Sequence, residues 1–302
     1  MGIYRSSCSV MRVNFHRWRS DRRIWIIFLF IGLLLLTELR GYVAYGLDSG
    51  EKCTAFLLPT LFASYANVAI GSMKMMLYLG CLLLLCDAPF IYQVTPYMVI
   101  RSRREGWWIG ECMYILFTTF LYTVFIVIVS TIVVLPVATF GDAWGGVLKD
   151  FAYGNASMYP VELKAYYNIY LMSPTMAMRY LYPSGAQLYT FLTAWASFFF
   201  LGLVQYLVSL KSKSMFLGFV SAGVFVLIDP ILVSASGSIY SKWAIMLSPV
   251  CWVDTNLLHI TNSDKILQIP YVVTMFIILI VALLFAIRMV SKKIMIEVRG
   301  EV

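Results

Sequence analysis

The chain predicts an all-α, polytopic membrane protein with six spanning helices, and three observations carry that expectation. Of 302 residues, 61% are hydrophobic and 13% charged, with a mean hydropathy of +0.82, so polar surface is too scarce to cover a soluble globule. The apolar residues fall in single blocks near the ~20 residues a spanning helix needs, not in the weaker alternating segments of about ten that build a barrel. Lys and Arg gather on alternate connections between these blocks, which is the pattern of a chain that threads a bilayer.

Residues 1–23 read as an amphipathic helix lying at the membrane interface. At about 100° per residue, Tyr4, Cys8, Met11, Phe15 and Trp18 share one face, Arg5, Arg12, Arg19 and Arg23 run along its flank, and Ser6, Ser9, Arg17, Ser20 and Asp21 lie opposite. Phe15 and Trp18 would anchor it in the headgroup layer while Arg5, Arg12 and Arg19 reach lipid phosphates; a basic leader that only sets topology is the plainer alternative. The first span, 24–45, follows six arginines without a small-residue cleavage pattern and reads as a retained span. Its Glu38 and Arg40 fit a wet vestibule at the outer end.

Leu47 to Ile70 is apolar but holds Pro59, Ser64 and Asn67, and it reads as an outer-surface or re-entrant segment. The second span, 68–92, has Lys74 near its start, able to snorkel outward, and Asp87, Ala88 and Pro89 as a helix stop near its end. A charged island, Gln93 to Glu111, sets Arg101, Arg103 and Arg104 between Tyr97 and the pair Trp107 and Trp108. The third span, 112–137, completes a hairpin with the island at its tip, and Glu111 opens it with a favourable acid in the first turn.

The connection from Val137 to Ala186 is too long for a tight turn, and its tyrosines suit headgroup depth. The fourth span, 187–210, places Gln205 in an apolar run, where an amide usually bonds a neighbouring helix. The fifth, 215–234, carries Asp229 followed by Pro230, roughly 21 Å from the inner face at about 1.5 Å per residue. An acid at that depth is a functional candidate, or a cap for whatever follows a helix broken by proline. A surface or re-entrant helix around LSPVCWVDTNLLHI leads to the sixth span, 269–287, and a tail, 288–302, too short to be a domain. The whole of 1–302 is thus one transmembrane domain.

With the N-terminus in the cytosol, the inner segments hold 15 of the 23 Lys and Arg and 6 of the 15 acidic residues, a net charge of +9 against −1 outside. That places both termini in the cytosol and the protein in the plasma membrane, and it explains the overall charge of +8 without a nucleic-acid partner. The six cysteines show no CxxC and no metal-ligand spacing. Cys53 and Cys251 share the outer side, which leaves a disulfide between them open.

The order of these features resembles the membrane subunit of type-two ABC exporters, permeases without a fused ATPase. The resemblance rests on DAPFIYQVTPYMVIRSRREGWWIGE, similar to that family's coupling-helix region, and on LSPVCWVDTNLLHI, similar to its outer segment before the last span; the long tyrosine-rich connection departs from the commonest pattern. It implies a dimer with a second copy or a paralogue, and export of an apolar or amphipathic cargo. It implies also that Tyr97, Arg101, Arg103, Arg104, Trp107 and Trp108 contact a separate cytosolic ATPase. ATP and Mg would be held by that partner, because this chain has no G-x-x-x-x-G-K-[ST] loop. Gln205 and Asp229 are the polar candidates along the path.

Two other classes remain. An autonomous ion-coupled carrier or channel would suit a broken helix, although inverted repeats with a matching break are not evident. An intramembrane enzyme has little to work with, since His16 and His259 are the two histidines and no carboxylates pair at one depth.

Overall fold

The structure is a computed structural model that describes residues 3–63, 73–90, 95–155, 158–234, 239–258 and 268–293. In chain order it comprises α1 (Ile3–Arg17), α2 (Arg22–Ser49), β1 (Cys53–Thr54), α3 (Leu58–Leu61), α4 (Met73–Leu84), α5 (Thr95–Val134), β2 (Ala138–Thr139), α6 (Gly145–Tyr153), α7 (Pro160–Tyr166), α8 (Thr175–Tyr180), α9 (Pro183–Ser212), α10 (Met215–Ser234), α11 (Ile239–Leu247) and α12 (Ile269–Lys293). The chain is an all-α polytopic protein: α2, α5, α9, α10 and α12 are long and apolar enough to cross a membrane, and α4 is a shorter apolar helix. The expected second span, 68–92, extends at both ends outside the described residues, as do most of the tail and His259.

The core is built around α9, which packs against α4, α5, α10 and α12. Its Phe198 meets Tyr78 of α4 and Tyr122 of α5 at ring-centroid separations of 4.9 and 5.3 Å. The hydroxyls of those tyrosines are satisfied inside the bundle, Tyr78 donating to Ser197 Oγ at 2.8 Å and Tyr122 to the Leu77 carbonyl at 2.7 Å. Helix α2 shows the opposite economy. Its side chains at Ile24, Ile27, Ile31, Leu35 and Leu39 are buried against α4 and α5, while Trp25, Ile26, Leu29, Phe30 and Leu33 are exposed. A helix apolar on both faces that buries one of them inside the protein leaves the other for lipid.

Two segments expected as surface or re-entrant pieces are packed into the bundle, and a third, expected as an interfacial helix, is docked along one face. In the Leu47 to Ile70 segment, Cys53 to Phe62 are almost wholly buried, pinned by the parallel pairing of β1 with β2 and by the Gln187 side chain accepting from Leu58 N at 3.0 Å. The segment before α12 is a plug around Trp252, which is fully buried, donates to the Ile245 carbonyl at 3.0 Å and packs on Phe276. The third is α1. The sequence puts Phe15 and Trp18 toward lipid, whereas the structure packs α1 alongside α5, running in the same direction. Ser7, Val10 and Asn14 form the buried line, Phe15 lies 5.1 Å from Tyr114, and Trp18 Nε1 donates to the Tyr114 hydroxyl at 2.9 Å.

The cause is a groove made by glycine. A Cβ at Gly110 would lie 2.6 Å from Val10 Cβ and 2.8 Å from the Ser7 carbonyl oxygen, and one at Gly106 would lie 2.5 Å from Ser6 Oγ. Small residues four apart let two backbones approach closely, so the small, partly polar face of α1 is the one that docks. Arg5, Arg12 and Arg19 stay exposed. Replacing Gly110 with Leu overpacks this crossing, at a cost of about 1–3 kcal/mol. Trypsin should then cleave at Arg12, Arg17 and Arg19 several-fold faster than in the parent protein, read by gel or mass spectrometry.

Candidate functional site

The polar residues collect in three places along the bundle. The first is the arginine-rich tip of α5. The island starts with a short helical stretch that a kink at Arg103, whose φ of 61° and ψ of 159° fall outside helical space, separates from the helix of the third span. Residues 104–134 alone extend about 46 Å at about 1.5 Å per residue, against a hydrocarbon thickness of about 30 Å. The charged first turns therefore project beyond the apolar layer. They are tied to the end of α12, Arg104 donating to the Lys292 carbonyl at 2.9 Å and Glu105 lying 3.8 Å from Arg288.

At this tip Tyr97 and Ile100 are 75% and 80% exposed, and Arg101, Arg103 and Arg104 are exposed as well. Trp107 is not available in the same way. It is 1% exposed, packed inside the chain because it lies between Gly106 and Gly110 on the stretch that α1 covers, and Trp108 is half-buried. Glu111, expected as a helix-opening acid, is fully buried and accepts from Asn14 Nδ2 at 2.6 Å.

The second place is the elbow between α1 and α2. Asp21 caps α2 by accepting from Arg23 N at 3.0 Å. The Arg23 guanidinium then forks onto Asp87, one nitrogen 2.7 Å from Oδ1 and the other bonded to Oδ2, and it reaches Asp21 Oδ2 at 3.2 Å. A two-toothed contact of this kind fixes orientation as well as charge. Beside it lies a cavity of about 300 Å³.

The third place is buried. Lys74, expected to snorkel outward, is instead enclosed, with Nζ 2.7 Å from Asp229 Oδ1 and side-chain exposures of 0% and 4%. Helix α10 is not broken at Asp229 either: it continues to Ser234 with Pro230 inside it, the proline costing the Val226 carbonyl its helical partner. Asp229 thus neutralises Lys74 instead of capping a following segment. The Cys251 thiol shares this site, hydrogen-bonded to Asp229, and burial followed by the Asp229 charge pushes it up to about 12. Burial also pushes the Cys53 thiol up to about 12, and both cysteines are free, so the outer-side disulfide is not formed.

Gln205 and Asp229, the two path candidates, are each engaged within the chain, and neither lines the elbow cavity. Gln205 is fully buried and donates to the Leu85 carbonyl at 2.9 Å, which also accepts from Ala88 N at 3.0 Å in the turn after α4. Sequence reasoning noted Lys74, Asp87 and Glu111 without pairing them, and passed over Asn14. A signal existed for the first two, since charges at the edges of apolar runs seek a partner. For Asn14 none existed, because its partner is 97 positions away.

Comparison with family models, with curated proteins and with solved structures finds no match for this chain. Among the described residues no three His, Cys, Asp or Glu side chains converge as a metal site would require.

Two outcomes follow from this geometry. Lys74→Met alone leaves the buried Asp229 carboxylate without its ammonium partner and should cost about 3–5 kcal/mol, whereas the double change Lys74→Met with Asp229→Leu should recover most of it; thermal denaturation of the detergent-solubilised protein reads both. Arg103 holds a backbone conformation that only glycine adopts freely, at a cost of about 1–3 kcal/mol. Arg103→Gly should therefore raise the denaturation midpoint.

Proposed function

We propose that this chain is the permease subunit of an ATP-driven exporter, moving an apolar or amphipathic cargo such as a peptide, drug or lipid-like molecule out of the cytosol. A separate ATPase chain supplies the energy and holds ATP and Mg. The arginine-rich end, both termini included, faces the cytosol of a plasma-membrane protein, and a second copy or a paralogue completes the path.

The observation that carries this reading is an exposed tip joined to the bundle through a single kinked residue. Exposed Tyr97, Ile100 and Arg101 lie on a short helical stretch that the kink at Arg103 separates from the helix forming a span, and Arg104 and Glu105, at the start of that second helix, are tied to α12. A force applied to the tip by a partner would reach two spans across that one kink. Aromatic and arginine side chains are the types that carry binding energy at interfaces. Trp107 drops out of the contact, and Trp108 stays at its margin.

A second reading, an autonomous ion-coupled carrier, is favoured by one feature. The enclosed Lys74–Asp229 pair is the kind of intramembrane charge that proton and ion relays use.

The test is purification from the native membrane with identification of what stays bound. A nucleotide-binding chain should accompany the parent protein, and changing Arg101, Arg103 and Arg104 to Glu should weaken that association by about tenfold or more, equivalent to about 1.4 kcal/mol, while the fold survives. Absence of any such chain, with transport that persists without ATP, overturns the exporter reading in favour of the carrier.

A further inference from the structure

The seam between α1 and α5 is closed by small residues and by one carboxyl group. Ser7 and Val10 sit against Gly110 and Ser6 against Gly106, and Asn14 Nδ2 donates to Glu111 Oε2 at 2.6 Å. Glu111 stands just before the apolar run that begins at Cys112. It is 0% exposed, and its other oxygen, Oε1, is buried without a hydrogen bond. The Trp107 indole nitrogen lies beside it but outside hydrogen-bonding geometry.

No cation offsets this carboxyl. The ionisable groups around it are the Tyr206 hydroxyl from α9 and, from α5 itself, the Cys112 thiol and the Tyr114 hydroxyl, all of types that stay uncharged up to about pH 8. From α1 the facing side chain is the neutral Asn14, while His16 and Arg17 are exposed. Asp87, which Arg23 forks, acts on Tyr114, and no charged side chain among the described residues acts on Glu111. The Tyr206 hydroxyl is likewise buried without a partner, so α9 brings a neutral group and no charge.

A carboxylate enclosed in this way, with one donor and no counter-charge, costs far more than the neutral acid. With α1 lifted away the same group meets water, where a glutamate ionises above about pH 4.3. The docked and undocked states therefore hold different numbers of protons.

We propose that Glu111 is a proton-binding site, filled while α1 is docked on α5 and emptied to water when α1 lifts, so that docking takes up one proton. A group that keeps its proton only in the docked state makes docking strongest in acid and weaker as pH rises. Each pH unit above about 4.3 lowers the docking constant about tenfold, until the docked carboxyl itself ionises. Because α5 also carries the exposed tip, α1 gives pH a hold on that end of the protein. The coupling needs no ATPase, so its failure leaves the exporter proposal untouched, and the reverse holds.

Two measurements on the purified full chain in detergent test it. Trypsin cleavage at Arg12, Arg17 and Arg19 is followed by mass spectrometry from about pH 6 to about pH 8, each rate divided by that of a reference peptide in the same tube to cancel the protease's own response. Cleavage follows the population of the open form, so the parent's ratio should rise about tenfold per pH unit. Glu111→Gln, which keeps an acceptor for Asn14 and cannot ionise, should give a flat ratio; Glu111→Met, also neutral, is the second variant should the first not fold. Infrared spectroscopy reads the proton itself: the carbonyl band of an un-ionised carboxylic acid, present in the parent near neutral pH, should lose one group's intensity in either variant. A parent ratio that does not change with pH overturns the coupling. A rise that persists in a folded variant, or an acid band that keeps its full intensity there, overturns the assignment to Glu111.

Discussion

Charge pairing holds α4, an apolar helix much shorter than the five long ones, and much of the bundle is arranged around that requirement. Helix α4 is 12 residues long and is staked at both ends. Lys74 in its first turn is bonded to Asp229 of α10, and Asp87 just beyond its last turn is forked by Arg23 of α2. Between them the Leu85 carbonyl is taken up by Gln205 of α9. In apolar surroundings an unpaired charge or backbone group is costly, so these three contacts dictate which helices surround α4. They place α2, α9 and α10 on its sides, and α5 closes the remaining face through Tyr122 and Leu77.

The same economy explains the arginine-rich end. Docking α1 on α5 encloses Asn14 and Glu111, whose Oε2 accepts from Asn14, and it places Trp18 over Tyr114. The first helix is thereby held along α5 by its small, partly polar face. Its arginines lie on the exposed side. The elbow that joins α1 to α2 is a consequence: the chain must turn where Asp21 caps the new helix, and the turn leaves the cavity beside Arg23.

The far end is organised by aromatic and backbone contacts. Tyr45 donates to Asp150 at 2.7 Å and Tyr167 to Asp48 at 3.0 Å, joining α2 to the connection that holds α6 and α7. Tyr166, Tyr170, Tyr180 and Tyr182 are exposed there, in keeping with tyrosines that sit where apolar and polar media meet. The Trp252 plug and the stretch after β1 are buried against the helices around them.

Sequence alone determined the class of this protein and the position of its long helices. Spans expected at 24–45, 112–137, 187–210, 215–234 and 269–287 lie within or match helices at Arg22–Ser49, Thr95–Val134 with its short extension to Val137, Pro183–Ser212, Met215–Ser234 and Ile269–Lys293. Continuous hydrophobicity is a local property, so it is readable without knowing what packs where. Tertiary structure alone decided the partners. Periodicity ranks faces by hydrophobicity and so turned Phe15 and Trp18 of α1 outward, whereas close packing favours small side chains, and Gly106 and Gly110 drew in Ser7 and Val10. Pro230 suggested a break, yet one missing hydrogen bond did not outweigh the rest of α10 and the Lys74–Asp229 pair, whose members stand 155 positions apart. Contacts of that range exist only after the chain has folded, because nothing near either residue in sequence specifies the other.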